Sequence, residues 1–214
     1  MRQYIWLLKI SWVKFIYYNF ICKQVERTGK GYVFPYKGAV IELAKNSLLT
    51  IHNDNFHICF HKIGRSRAEA YVKLLENAQL EIKGKVVLNY NATIEVHKNA
   101  KIEMGMVDIN SGAVIVSADN ICIGNGVLIS RDVIIYDSDH HDIIDDEDNK
   151  LNPSRPVIIG DNVWIGVKCI VLRGANIGEG AVISAGSLVG GKIKSKTMAS
   201  GNPARSYSEV KWRK

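Results

Sequence analysis

From Ile159 to Val189 an aliphatic residue returns at every sixth position: Ile159, Ile165, Val171, Ile177, Ile183 and Val189. Two positions before each stands a small or compact residue: Val157, Val163, Cys169, Ala175, Ala181 and Ser187. A helix repeats every ~3.6 residues and an isolated strand every ~2, so neither produces this beat. A six-residue period marks a β-helix, in which each repeat lays down one short flat strand and then turns a corner. Three such faces close one triangular coil, and each coil buries its aliphatics against the next.

Upstream the beat persists in shorter runs. Ile123, Ile129 and Ile135 keep it, and Ile82, Leu88 and Ile94 form an earlier run. Ile109 and Ile115 keep it two residues out of frame, which calls for a small corner insertion near 117–120. Ile41 and Leu49 start the series, whereas 52–67 fits no repeat and reads as an irregular excursion. The count predicts roughly six coils at the ~4.8 Å spacing of any sheet. The expected organisation is all-β: irregular rungs over 28–75, a parallel β-helix over 76–191, and a basic C-terminal cap over 192–214.

The 47% hydrophobic and 23% charged fractions are those of a folded protein. The net charge of +7 favours an acidic partner. Its lysines and arginines gather at the two ends rather than in an aromatic-laced stripe on the body, so nucleic acid is not expected. Cys22, Cys59, Cys122 and Cys169 form no CxxC pair and read as reduced thiols of a cytosolic protein. The segment 1–27 opens with an aromatic-rich run that Lys9 and Lys14 interrupt, which argues against a membrane-spanning helix. It predicts an amphipathic helix over 5–22. Trp6, Trp12, Tyr17 and Tyr18 would suit a membrane interface, and packing on a neighbouring subunit is the alternative.

What interrupts the repeat carries the chemistry. Between Ile135 and Ile159 the frame calls for aliphatics at 141, 147 and 153, and the chain supplies His141, Glu147 and Pro153. The segment 137–156 is therefore a loop ejected from the coil, and loops on rigid scaffolds are where binding and catalysis collect. His140 and His141 stand at its base among Asp137, Asp139 and Asp142. A carboxylate beside an imidazole orients it and raises its basicity, which suits a general base. On spacing alone, a solvated acidic loop with incidental histidines fits equally well.

The run PVIIGDNVWIGVKCIVLRGANIGEGAVISAGSLV, followed by SGNPAR, resembles the hexapeptide-repeat acyltransferases, and within them the branch that O-acetylates sugars. That branch contains galactoside and maltose acetyltransferases and enzymes of capsule and lipopolysaccharide synthesis. The resemblance covers about 76–205. It implies a left-handed coil, where the general rule for parallel crossovers would give a right-handed one. It also implies acetyl-coenzyme A as donor with no metal, a sugar or polysaccharide-precursor hydroxyl as acceptor, and a homotrimer whose donor groove lies between subunits. The expected location is the cytoplasm, at the inner face of the membrane if the N-terminal helix is interfacial.

Carried over by motif, the resemblance gives His140 in DSDHH the role of base, with His141 as the alternative. Asp139 and His141 stand where the family commonly has Gly and Pro. Asp137 or Asp139 would orient the imidazole and raise its pKa, and Asn110 in VDINSG would line the acceptor side. Trp164 would stand near the thioester, Gly166 and Ala185 along the pantetheine, and Lys192 and Arg205 at the phosphates. The chain reads GGK where the family has Thr-Lys or Thr-Arg, which displaces Lys192 by one and makes Lys194 and Lys196 possible substitutes. No cysteine adjoins either histidine, so direct transfer is expected, with a backbone N–H on the oxyanion. Other readings are N-acetyl transfer to a nucleotide amino sugar, a zinc-binding solenoid of the carbonic-anhydrase type using His97, His140 and His141, and a non-catalytic assembly module.

Overall fold

Aliphatics spaced by six can all be buried only if each strand lies directly over its counterpart one coil earlier. The computed structural model, which describes residues 7–213, has this arrangement, with three parallel sheets forming the faces of a triangular prism. The fold is a left-handed parallel β-helix. Taken face by face, the first coil is Val25–Arg27, Val33–Pro35 and Ala39–Leu43, and the second is Leu48–Ile51, Phe56–Phe60 and Ala70–Leu74. The third is Gln79–Ile82, Val86–Asn89 and Thr93–Val96, and the fourth Lys101–Met104, Val107–Ile109 and Val114–Ser117. The fifth is Asn120–Ile123, Val127–Ile129 and Ile134–Tyr136. The sixth is Val157–Ile159, Trp164–Ile165 and Ile170–Val171, and the seventh Asn176–Ile177, Val182–Ile183 and Leu188–Val189. Lys192–Ile193 and Thr197–Gly201 begin an eighth, and Ala204–Glu209 folds back antiparallel on the latter to close the C-terminal end.

Register explains the beat. Ile123, Ile159, Ile177 and Ile193 stack on the first face, Ile129, Ile165 and Ile183 on the second, and Ile135, Val171 and Val189 on the third. All are buried, each contributing roughly 1.5–3 kcal/mol. The two-residue offset is real: the chain spends Ala118 and Asp119 on the corner between Val114–Ser117 and Asn120–Ile123.

Two expectations are corrected. The solenoid has seven full coils and part of an eighth where roughly six were expected, because only Ile41 and Leu49 of the first two coils entered the six-residue count. Within 52–67, Phe56–Phe60 is a strand paired to Val33–Pro35 and Val86–Asn89, with a register shift between Ile58 and Phe60 and irregular corners around it. An aromatic core residue, Phe56, and unequal corners hide the period there.

The N-terminal helix is shorter than predicted. An α-helical turn, Trp12–Ile16, runs into a wider π-type turn, Tyr17–Ile21, while Ile5 and Trp6 lie outside the described residues. It caps its own solenoid. The Asn19 amide donates to Val33 O and accepts from Val33 N (2.8 and 2.9 Å), Tyr18 Oη donates to Ile41 O (2.8 Å), and Lys14 Nζ donates to Ala39 O (2.6 Å). These side chains satisfy backbone groups that an uncapped first coil would leave open. The opposite side exposes Val13, Ile16, Phe20 and Ile21. Among the described residues no helix is long and apolar enough to cross a membrane. All four cysteines are free thiols.

Candidate active site

The chain leaves the third face at Tyr136 and returns to the first at Val157. Asp137, first in the intervening loop, is 0% exposed and accepts three hydrogen bonds: from Ser117 Oγ (2.6 Å), Ala118 N (2.7 Å) and Asp119 N (3.0 Å). The frame offset visible in the sequence is thus a socket for this carboxylate. Asp139 is held on the other side, accepting from Asn152 Nδ2 (2.9 Å) and Arg173 Nε (2.8 Å). Asn152 and Arg173 hold the Asp139 carboxyl below its usual range. Asn152 is itself buried and also ties Ile143 N and His141 O.

Neither aspartate hydrogen-bonds the His140 ring, which corrects the expectation that one of them orients it directly. They pin the backbone on either side instead. Between them His140 sits at φ 58°, a region that costs a residue other than Gly, Asn or Asp of order 1 kcal/mol, with its N–H donated to Ser138 Oγ (3.0 Å). Its ring packs 4.7 Å from His97 and edge-on to Tyr136 at 5.3 Å. His97 Nε2 in turn lies 3.5 Å from Glu95 Oε1. Burial, then the neighbouring His97, push the His140 pKa below 6.5; Asp137 and Glu95 pull it up and His141 adds to the lowering. The expected upward shift from the aspartates is therefore reversed. A neutral, partly sheltered imidazole is what a proton acceptor needs.

Glu95 and Tyr136 were not singled out by the sequence, and His97 entered only as a ligand in the zinc alternative. Their signal is register: Val116 stacks on Tyr136 and Val96 on Ser117, so the exits of the third, fourth and fifth coils share one edge of the prism. Among the described residues no group of three or more His, Cys, Asp or Glu side chains has the arrangement to hold a metal ion.

The remaining candidates other than Lys192 occupy a different edge, where the second face turns into the third. Asn110 is at this edge in the fourth coil, its amide nitrogen donated to Ile129 O (3.1 Å). Trp164, 38% exposed, leads to the same edge in the sixth coil; its indole donates to Ser130 Oγ (3.1 Å) and meets the ring of Trp212 at 6.0 Å. Gly166 follows it and Ala185 stands one coil on. A Cβ on Gly166 would meet Ala185 N at 2.7 Å, so glycine is needed for the coils to stack. The Gly166 N–H donates to Ile183 O (2.8 Å) and is not available to an oxyanion. Arg205 lies in the closing hairpin opposite Ser200. Lys192 stands on the first face beside Asn176, apart from the others.

Along the prism axis the order is Asn110 in the fourth coil, His140 in the fifth, Trp164 and Gly166 in the sixth, Ala185 in the seventh and Arg205 in the eighth. Across the axis, a third-face strand of roughly 10–13 Å separates His140 from the rest. The candidates of one chain thus lie on two edges of the prism.

Residues 156–190 match the model of the hexapeptide repeat of succinyl-transferase. The galactoside O-acetyltransferase of Escherichia coli K12 is 31% identical over 142 residues, 66% of each protein. A putative acetyltransferase of Saccharomyces cerevisiae, YJL218W, is 38% identical over 101 residues, 47% of this chain and 52% of that protein. The chain spans about half the length of several such relatives. In fold it is similar to the polysialic acid O-acetyltransferase OatWY, with a TM-score of 0.62 at 19% identity over 89% of this chain and 91% of that one. Repeat, coil and sequence agree: the chain belongs to the hexapeptide-repeat acyltransferases.

Proposed function

We propose that this protein transfers acetyl from acetyl-coenzyme A to a hydroxyl of a sugar or polysaccharide precursor, with His140 as general base and a homotrimer as the working unit. The observation that carries this reading is His140 itself, pinned between two anchored aspartates and kept neutral by burial and His97. The imidazole takes the hydroxyl proton as the oxygen attacks the thioester carbonyl; the C–S bond breaks and the imidazolium returns its proton to the leaving thiolate.

The axial order supports the assignment, because Asn110 precedes His140 and the donor candidates follow it toward Arg205. The placement on two edges supports the trimer. A threefold ring sets the second-to-third edge of one copy against the third-to-first edge of the next, bringing Trp164, Gly166 and Ala185 to a neighbour's His140. We also place the exposed face of Val13, Ile16, Phe20 and Ile21 on an anionic membrane surface, with exposed Lys23 following it in the chain, which would put the enzyme at the cytoplasmic side.

The test is thiol release from acetyl-coenzyme A against a panel of neutral and anionic sugars and amino sugars, with light scattering on the same sample. Acceptor-dependent release from a species of about three chain masses is the expected result. Turnover by a clean monomer sinks the shared site, and product formed only on amino groups sinks O-transfer.

A further inference from the structure

At the N-terminal end, the corner between Phe56–Phe60 and Ala70–Leu74 opens into a pocket of about 360 Å³. Its walls are the rings of Tyr36 and Phe60, and Lys9, Lys37, Lys62 and Arg65 are gathered around it. Among the described residues none of these four cations has a carboxylate within ion-pair distance, whereas Lys73, Lys83, Lys98, Lys101, Lys150 and Arg173 do. Four like charges around one apolar pocket repel one another, and an anion inside would relieve that repulsion.

The wall is fixed rather than incidental. The Tyr36 hydroxyl and His57 Nδ1 are hydrogen-bonded at 3.0 Å, and burial pushes the His57 pKa down to about 4, so this ring is neutral. His61 Nδ1 donates to Oδ1 of Asn89, a residue only 4% exposed, at 3.0 Å. Asn89 then donates to Ile109 O (2.9 Å) and Asp108 Oδ1 (3.3 Å), next to Asn110. Cys59, His61 and Arg65 all take positive φ (65°, 50° and 63°), the same unusual conformation as His140.

We propose that this pocket binds a diphosphate ester, its phosphates held by Lys62, Arg65, Lys37 and Lys9 and its apolar portion against Tyr36 and Phe60. A diphosphate offers enough charged oxygens to engage several cations at once, and arginine can take two of them together. The aromatic wall suits the flat or apolar group that such an ester carries. The pocket lies on the edge that holds Asn110, two to three coils before it, or roughly 10–14 Å. It therefore stands on the acceptor side, beyond His140 from the donor. That placement rests on the acyl-transfer reading; the binding does not.

The test is calorimetric titration of the full chain at low ionic strength with inorganic pyrophosphate and with uridine diphosphate. Flotation with phosphatidylcholine vesicles, plain or doped with farnesyl diphosphate, runs alongside. We expect saturable binding that Lys62→Gln/Arg65→Gln weakens by roughly tenfold or more, the scale of losing charge-assisted contacts. Arg65→Gln alone, in an exposed corner, guards against a misfolded double variant, and Lys98→Gln on another edge should bind as wild type. Tight uridine diphosphate binding with no flotation identifies a soluble nucleotide ester. Flotation dependent on doping and on Lys62 and Arg65 identifies a lipid-borne diphosphate. Absence of binding to every probe, or equal binding by the double variant, overturns the site. Binding without acetyl transfer to any acceptor would leave the site standing and remove the proposed reaction.

Discussion

The sixth and seventh coils and the first two solve the same packing problem with opposite economy. Beyond Val157–Ile159, the later coils use strands of two residues, such as Trp164–Ile165 and Ile170–Val171, on a strict six-residue beat. The early coils use strands of up to five residues, put Phe56 in the core, and throw out a corner over 61–69. A strict coil has little freedom beyond what its outward residues display, so it offers a straight edge along which an extended donor can lie. A loosened coil frees whole corners, and there the cations and aromatic walls gather. The fifth coil lies between these regimes and carries the loop with His140. The comparison predicts that residues anchoring that loop and residues acting from it fail in different ways.

The sharpest break should come at Asp137. Replacing it with Ala removes the acceptor of two half-buried backbone N–H groups and leaves the buried Ser117 hydroxyl only its longer bond to Lys101 O (3.3 Å), which should cost about 2–4 kcal/mol by denaturant titration. His140→Ala should leave the unfolding midpoint nearly in place. An Asp137→Ala protein of normal stability and no activity would return Asp137 to a direct role on the imidazole.

Activity should show the reverse order. His140→Ala should lower turnover by roughly 100-fold or more while coenzyme A affinity holds, since a positioned base contributes on that scale. His141→Ala should keep most activity, its carbonyl rather than its ring being the part that Asn152 holds. Exchange of those two outcomes would move the base to His141.

Legibility followed the same divide. Ile159 to Val189 gave the core and the faces, because two-residue strands leave no slack in the period. The loop over 137–156 was legible as missing aliphatics, and the frame slip near 117–120 as an insertion, though not as the socket for Asp137. That needed to be seen in three dimensions, since Ser117 and Asp137 are one coil apart. His97 was legible only as a ligand in the zinc alternative, because the extra corner residues between it and His140 hid their shared edge. Of the first two coils only Ile41 and Leu49 were legible, because Phe56 and the 61–69 corner break the beat.

The early coils also predict an acid sensitivity of their own. His57, neutral in the fold with a pKa of about 4, ionises more readily once unfolded. Its stabilising effect is complete above the ordinary value of 6.5 and is lost as pH falls toward 4, up to about 2 kcal/mol after allowing for its partial exposure. His57→Asn, whose amide can still hydrogen-bond Tyr36, should flatten that part of the stability curve. An unchanged slope would mean that another group controls it.

The smallest effect separates the neighbours of His140 by sign. Burial and His97 hold its pKa down, so the acid limb of the pH–rate profile should fall below 6.5. His97→Gln removes the neighbouring imidazole that lowers it, so the limb should move to higher pH with the plateau little changed. Glu95→Gln removes a carboxylate that raises it, so by that direct effect its limb should move to lower pH. Because Glu95 also pairs with His97, the double variant should fall between the two singles. A merely structural role for the pair would depress the plateau in both variants and leave the limb in place, and limbs moving in the same direction would discard this electrostatic account of the site.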